Sequence, residues 1–171
     1  MPCTKPLAVS AQAENAGNRP YRVLFVCTGN TCRSPMAEAL FRDRMLRWRG
    51  EGAVLVASAG LYAAVGAPIS PNAVLALEAF GIADMPANPY RAHQARNVDA
   101  QLMAEADEVV AISAGHAMEL LMRYPAHASK ITALPLDIPD PYGGDEHCYR
   151  ACLECISCAI QMKWPDEESL L

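Results

Sequence analysis

The sequence predicts a single α/β domain in which a four-stranded parallel sheet carries helices on both faces. Four short apolar runs, rich in β-branched residues, alternate with longer segments whose apolar positions recur at helical spacing. The apolar runs are nearly continuous rather than alternating, which is typical of parallel strands buried on both sides. At 171 residues the chain is long enough to bury one such core.

The elements follow one another in a simple order. Strands are expected at residues 22–27 (RVLFVC), 53–58 (AVLVAS), 108–112 (EVVAI) and 130–134 (KITAL). Helices are expected at residues 35–48, 99–106, 116–124 and 147–164, and between a start at Ser70-Pro71 and a stop at Gly81. In the first helix, apolar residues share one face, and Glu38 and Arg42 are expected to pair on the opposite face.

Composition excludes several classes of protein. Net charge is -5 and the pI is near 5.3, so the chain lacks the basic surface that nucleic-acid or anionic-membrane binding requires. No apolar run approaches the roughly 20 residues of a membrane-spanning helix. The cysteine count is odd, at seven, and no secretory signal pattern opens the chain, which favours a reducing cytoplasm over a disulfide framework. We expect residues 1–20 to be a mobile extension and residues 21–171 to be the domain.

The turn after the first strand carries the candidate site, because ligands of parallel sheets bind beyond the carboxyl ends of the strands. Residues 27–33 read CTGNTCR, and Ser34-Pro35 then opens a helix. Six backbone N–H groups, from Thr28 to Arg33, can surround one tetrahedral anion, and the helix N-terminus adds positive potential. Gly29 and Asn30 are suited to the left-handed conformations of such a loop. We call residues 27–33 the phosphate loop.

Cys27 lies at the base of this loop, where the potential that holds a phosphate also favours thiolate over thiol. Arg33 can grip two phosphate oxygens at once. Ser34 is placed to donate a hydrogen bond to the sulfur and to stabilise it as a leaving group. The same loop would thus provide both the nucleophile and the anion-binding site. The alternative is a buried cysteine at the end of a strand, followed by an ordinary helix cap.

These residues resemble the low-molecular-weight protein tyrosine phosphatase family, whose signature is C-x5-R-S-P near the N-terminus. The resemblance extends over residues 21–164. It implies that Cys27 is the nucleophile, that Arg33 binds phosphate, and that an oxidised Cys27 is trapped as a reversible disulfide with Cys32. It also implies a phosphorylated protein as substrate, inorganic phosphate as product and inhibitor, and no cofactor. The other residues that would line or shape the loop are Thr28, Gly29, Asn30, Thr31, Cys32 and Ser34.

The general acid is expected on a second loop, residues 136–144 (LDIPDPYGG), which also follows a strand and so lies at the same edge of the sheet. Asp140-Pro141-Tyr142 resembles the Asp-Pro-aromatic motif of the family, in which the aspartate acts as acid and then as base. Tyr142 would form a wall of the substrate slot. Asp137 is the only nearby rival, and an ordinary Asp-Pro turn is the alternative.

Two further residues are implied to brace the loop from outside the catalytic groups. Ser58, after the second strand, and His93 match the serine and histidine that support the loop asparagine in the family. A surface position for His93 is the alternative.

Substrate class depends on positions where the chain departs from the tyrosine-specific members. Thr31 stands where those members commonly have a bulky aliphatic residue, and Gly143 and Gly144 stand where a second aromatic residue is common. Both features resemble the bacterial branch that acts on phosphoarginine, which we therefore favour over phosphotyrosine. A threonine hydroxyl could hydrogen-bond to the guanidinium side of the substrate or to an attacking water.

The sequence also allows other hypotheses about function and about a metal site. Arsenate reductases share this fold, but they resemble one another in two further redox cysteines, and this chain has no cysteine between Cys32 and Cys148. A non-enzymatic module that senses an anion or binds a partner would be expected to lack the nucleophile, the arginine or the acid, and all three are present. Four cysteines near the C-terminus have helical spacing, so we expect core packing rather than a metal site, with no metal in the protein. They are Cys148, Cys152, Cys155 and Cys158.

Overall fold

Four parallel strands form the sheet, in the order β2-β1-β3-β4. The structure, a computed structural model, describes residues 19–165, so the expected mobile extension lies outside the described residues except for positions 19 and 20. The strands are β1 (Tyr21–Cys27), β2 (Val54–Gly60), β3 (Glu108–Ala111) and β4 (Ile131–Ala133). The helices are α1 (Arg33–Arg49), α2 (Pro71–Ala79), α3 (Ala100–Glu105), α4 (Ala114–Arg123) and α5 (Glu146–Lys163), with 3-10 turns at Tyr90–Ala92 and Pro125–Lys130.

Helices cover both faces of the sheet, which confirms the predicted fold class. Alternate residues of β1 belong to two separate cores, as the two-residue period of a strand requires. Val23 and Phe25 pack with residues of α1, α2 and α5, whereas Leu24 and Val26 pack with residues of α3 and α4. β1 is hydrogen-bonded on both sides, to β2 and β3, so the loop that follows Cys27 begins at the centre of the sheet.

Caps determine where the helices begin. α4 starts at Ala114, two residues before the predicted start, because the Ser113 side chain accepts the backbone N–H of His116. Asp145 caps α5 in the same way by accepting the N–H of Cys148. The stop after α2 is as predicted, since Gly81 has a positive φ of 88°. No helix in the part of the chain that the structure describes is long and apolar enough to cross a membrane.

Glu38 and Arg42 form the predicted ion pair, at 2.5 Å. Their side chains are only 16% and 21% exposed and lie against the edge of β2. Arg42 also donates to the carbonyl of Val56 at 2.5 Å and to Asn88 Oδ1 at 3.4 Å. The 20-residue segment between α2 and α3 covers this edge, so the second face of α1 is an interior surface.

Core packing was predicted for the α5 cysteines, and it is correct for Cys152 but wrong for Cys148 and Cys158. Cys152 is fully buried, Cys155 is half-buried, and the other two are exposed. Six residues after Cys152, the side chain of Cys158 lies roughly 120° around the helix from that of Cys152, on the side away from the buried residues, while Cys148 lies in the first turn of α5. Within residues 19–165 no group of three or more His, Cys, Asp or Glu side chains has the arrangement of a metal site.

Candidate active site

The phosphate loop turns on Asn30, whose backbone is left-handed with φ of 56°. It is the one non-glycine residue with positive φ in the described part of the chain, and its side chain is fully buried. Asparagine tolerates this conformation better than most residues. Gly29 was expected to share the left-handed role, but its φ is not positive, so the reversal depends on Asn30 alone.

Neighbouring segments bind the carbonyl oxygens of the loop from outside. The carbonyls of Cys27 and Thr28 accept the N–H groups of Leu61 and Tyr62 at 2.9 Å each, and that of Thr31 accepts Ser70 N–H at 2.8 Å. In a trans peptide the N–H of the next residue points the opposite way. The amides that follow these carbonyls therefore face the inside of the loop, where an anion would bind.

The sulfur of Cys27 is buried and receives two polar contacts. Ser34 Oγ lies 2.9 Å from Sγ, and the backbone N–H of Asn30 points at Sγ over 3.4 Å. Both groups can donate a hydrogen bond to the sulfur. One of the six amides expected to face the anion is thus directed at the nucleophile instead.

A hydrogen-bond network holds Asn30 on all sides. Its Nδ2 donates to Ser34 Oγ and to Ser58 Oγ, both at 2.9 Å, and its Oδ1 accepts the backbone N–H of Arg96 at 3.0 Å. The carbonyl oxygen of Asn30 lies 2.7 Å from His93 Nε2. Ser58 and His93 therefore both contact the loop asparagine, as the family resemblance implied.

Glu38 extends this network, although the sequence analysis did not connect it with the site. Ser58 Oγ donates to Glu38 Oε2 at 2.5 Å, so a carboxylate lies behind the serine that supports Asn30. The signal was available, because Glu38 is four residues after Ser34 and thus shares its face of α1. Gly60 also proves essential: a Cβ there would lie 2.6 Å from the carbonyl oxygen of Thr28.

Arg33 and Asp140 meet at the mouth of the loop. Arg33 Nη2 lies 3.2 Å from Asp140 Oδ2, and the arginine side chain is 10% exposed while that of the aspartate is 54% exposed. Asp140, rather than the exposed Asp137, forms this ion pair. Tyr142 donates its backbone N–H to Asp140 Oδ1 at 3.1 Å, and the residue is 80% exposed.

Residues 136–144, which we call the acid loop, contain two glycines that have a structural reason of their own. Gly143 has a φ of 77°, and a Cβ on Gly144 would approach Cβ of Cys148 to 2.8 Å. Asn72 also donates to the carbonyl of Gly144 at 3.2 Å. Glycine is required here to seat the loop on α5, so this pair carries less weight for substrate class than Thr31 does.

Cys32 and Thr31 form the other side of the loop. Cys32 is buried, and its Sγ lies 3.2 Å from the hydroxyl of Tyr149, which also accepts from Ser70 Oγ at 3.1 Å. Burial first, and the neighbouring Cys32 second, raise the pKa of Tyr149 to about 12, so its hydroxyl stays protonated. Thr31 is half-buried, with its hydroxyl 3.6 Å from Cys32 Sγ.

His116 is a further residue that the sequence analysis did not place at the site. Its Nε2 lies 2.8 Å from Thr28 Oγ1, and the residue is 8% exposed. α4 follows β3, which lies beside β1, so the first turn of α4 meets the start of the phosphate loop. Predicting this contact requires the strand order, which the sequence does not state.

A buried thiol below inward-facing amides, closed by an arginine and faced by a carboxylate, defines the site of a cysteine-dependent phosphatase. Comparison with known proteins agrees. Residues 22–164 match the family described as low molecular weight phosphotyrosine protein phosphatase. The chain belongs to this family, and its predicted class, a hydrolase, is confirmed.

The relatives include two kinds of phosphatase. A protein-arginine-phosphatase of Geobacillus stearothermophilus is 38% identical over 148 residues, 82% of this chain and 92% of that protein. A low molecular weight protein-tyrosine-phosphatase of Streptomyces coelicolor is 37% identical over 155 residues, 81% and 88% of the two chains. The structure of an arginine phosphatase from G. stearothermophilus superposes with a TM-score of 0.71 at 36% identity, covering 83% of this chain and 89% of that one.

Proposed function

We propose that the protein hydrolyses phosphorylated side chains of other proteins through a phosphocysteine at Cys27, and that phosphoarginine is its preferred substrate. The observation that carries the proposal is the construction of the loop: one buried sulfur, held by Ser34 and the amide of Asn30, lies below amides that face an anion. In the proposed reaction the protein contributes its side chains and the backbone amides of the loop, and water is the second reactant.

The first step forms the phosphoenzyme. Cys27 Sγ attacks phosphorus, and the bond from phosphorus to the leaving nitrogen or oxygen breaks. The carboxylic acid of Asp140 gives its proton to that leaving atom, which departs as the neutral side chain of tyrosine or the guanidinium of arginine. The inward amides and Arg33 stabilise the equatorial oxygens of the transferring group.

The second step returns the free enzyme. Water attacks phosphorus from the side that the leaving group vacated, the carboxylate of Asp140 takes a proton from it, and the S–P bond breaks. Inorganic phosphate and the thiolate of Cys27 remain, and Ser34 Oγ, 2.9 Å from the sulfur, stabilises the departing thiolate. Phosphate would bind the same loop and therefore inhibit.

Thr31 supports phosphoarginine over phosphotyrosine. Its half-buried side chain belongs to the loop itself, within reach of the atoms beyond phosphorus. The guanidinium of phosphoarginine is polar and planar and can hydrogen-bond to a hydroxyl, whereas the phenyl ring of phosphotyrosine packs better on an aliphatic side chain. Relatives of both kinds are equally similar to this chain, so their names do not separate the two substrates.

The test compares two peptides of one sequence, carrying phosphoarginine or phosphotyrosine, with wild type and Thr31→Ile. Loss of one hydrogen bond to a charged group should move the ratio of the two kcat/KM values by about 10- to 100-fold toward phosphotyrosine. Thr132→Ile, on the exposed face of β4, is the matched control and should leave the ratio unchanged. A wild type that prefers phosphotyrosine, with a ratio that Thr31→Ile does not move, would refute the phosphoarginine assignment.

We also propose a reducing, cytoplasmic location, because the reaction requires Cys27 as a free thiol and Cys32 lies in the same loop. The proposed catalytic unit is residues 21–171, with residues 1–20 as an extension outside it; the family match over residues 22–164 supports this division. Removal of residues 1–18 should leave kcat/KM for an aryl phosphate unchanged.

A further inference from the structure

Thr28 is the first residue after the nucleophile, and two elements fix it. Its carbonyl accepts the N–H of Tyr62 at 2.9 Å, and its Oγ1 lies 2.8 Å from His116 Nε2. The residue is exposed although its neighbours Cys27 and Asn30 are buried, so its side chain lies on the open side of the loop. A side chain in that place can reach a bound phosphoryl group.

The hydrogen bonds of His116 indicate which ring nitrogen carries the proton. Nδ1 lies 2.8 Å from Ser113 Oγ, and that same oxygen accepts the backbone N–H of His116 at 3.3 Å. If Ser113 Oγ donates its hydrogen to Nδ1 while it accepts the backbone N–H, Nε2–H is left to donate to Thr28, and each of these hydrogens has its own acceptor. The opposite tautomer would direct two N–H groups at one oxygen and leave the Ser113 hydroxyl hydrogen without a partner among residues 19–165.

The surroundings of the His116 ring favour its neutral form. Burial, and after it the guanidinium of Arg33, lower the pKa of His116, while Asp140 and Glu119 act in the opposite direction with smaller effect. These are the charged groups that face the ring from the phosphate loop, from the acid loop and from α4 itself. A neutral ring can accept at Nδ1 and donate at Nε2, as the contacts with Ser113 and Thr28 require.

We propose that His116 is a positioning residue for phosphoryl transfer: its Nε2–H holds Thr28 Oγ1, so that the hydroxyl hydrogen of Thr28 is directed to a phosphoryl oxygen. With the Thr28 oxygen accepting from His116, its hydrogen is free for another acceptor. A phosphoryl oxygen can only accept, so Thr28 adds a side-chain donor to the backbone donors of the loop. This inference rests on the proposed function, which supplies the phosphoryl group.

The experiment is a double-mutant cycle with Thr28→Val and His116→Phe, read as kcat and KM for an aryl phosphate and as the dissociation constant of inorganic phosphate. Each single variant should lower kcat/KM by about 10- to 100-fold, and the double variant should be no worse than the poorer single one. His116→Gln, whose amide N–H can replace Nε2–H, should recover most of the loss. His127→Phe, in the 3-10 turn Pro125–Lys130, is the control and should match wild type.

The proposal would be overturned if the losses in kcat/KM of the two single variants multiplied in the double variant, or if His116→Gln did not recover activity. His116 would then be a packing residue. A second measurement does not depend on any variant folding: ¹⁵N NMR of wild type should show His116 protonated at Nε2 and unprotonated at Nδ1, and the reverse tautomer would also overturn it. If wild type did not hydrolyse the aryl phosphate, the proposed function would be refuted. The double-mutant cycle could still be measured through the dissociation constant of inorganic phosphate.

Discussion

Replacing Asn30 with alanine should destabilise the whole domain, although the residue is in a loop. Its fully buried side chain makes three hydrogen bonds, to Ser34, to Ser58 and to the backbone of Arg96. Each bond contributes about 1 kcal/mol, and alanine pays a further 1–2 kcal/mol or so in the left-handed conformation that φ of 56° imposes. We expect the free energy of unfolding to fall by about 4 kcal/mol, a large share of the roughly 5–15 kcal/mol of a typical domain.

Urea unfolding followed by tryptophan fluorescence measures this loss, since Trp164 is buried in the core. With an m-value of about 2 kcal/mol/M, the midpoint should fall by about 2 M. Asn97→Ala is the matched control: this exposed asparagine also bonds with backbone groups, both on Ala63, but water can replace those bonds. It should cost about 1 kcal/mol or less. Equal losses for the two variants would refute the claim that the Asn30 network holds the loop in place.

Three further predictions concern catalysis and pH. Cys27→Ser should abolish turnover but still bind inorganic phosphate in calorimetry, whereas Arg33→Ala should lose both; residual turnover in Cys27→Ser would exclude the covalent mechanism. Asp140→Asn should slow the hydrolysis of substrates with poor leaving groups by about 10²-fold more than that of an activated aryl phosphate. Asp137→Asn should change neither rate appreciably. The folded state lowers the pKa of His116 below its ordinary 6.5, so the unfolded state binds a proton first as the pH falls. The free energy of unfolding of wild type should therefore decrease, relative to that of His116→Gln, as the pH falls from 6.5 toward the folded pKa. Urea unfolding measures this, and free energies of unfolding that change in parallel with pH in the two proteins would contradict it.

The features of the site that the sequence predicts are those made by consecutive residues. Cys27, Arg33 and Ser34 belong to one strand-loop-helix segment, so their relation to one another follows from local geometry. The strands were also predictable, because a parallel strand buried on both faces must be apolar along its length. Asp140 required only one further step, namely that loops after parallel strands share one edge of the sheet.

The residues that the sequence did not reveal reach the loop from distant positions. His116 is 88 residues from Thr28, and Tyr149 is 117 residues from Cys32. Their contacts depend on β3 pairing with β1 and on α5 packing beside α1, and neither follows from local patterning. Helical spacing also misled at the cysteines of α5. Each step of three or four residues is helical, but two successive steps of three carry Cys158 away from the buried face, and Cys148 lies exposed in the first turn.

The negative charge of the whole chain does not prevent anion binding, because the positive potential of the site is local. The net charge is -5, but the first turn of α1 has no acidic residue, and its N-terminus, the inward amides and Arg33 all act within one loop. The carboxylate paired with Arg33 is Asp140, at 3.2 Å. In the proposed reaction, the bound phosphoryl group would replace Asp140 as the partner of Arg33, and the carboxyl group of Asp140 would then be free at the mouth of the loop. Since the ion pair holds Asp140 at the mouth of the loop, we expect Asp140, and not Asp137, to distinguish poor leaving groups from good ones.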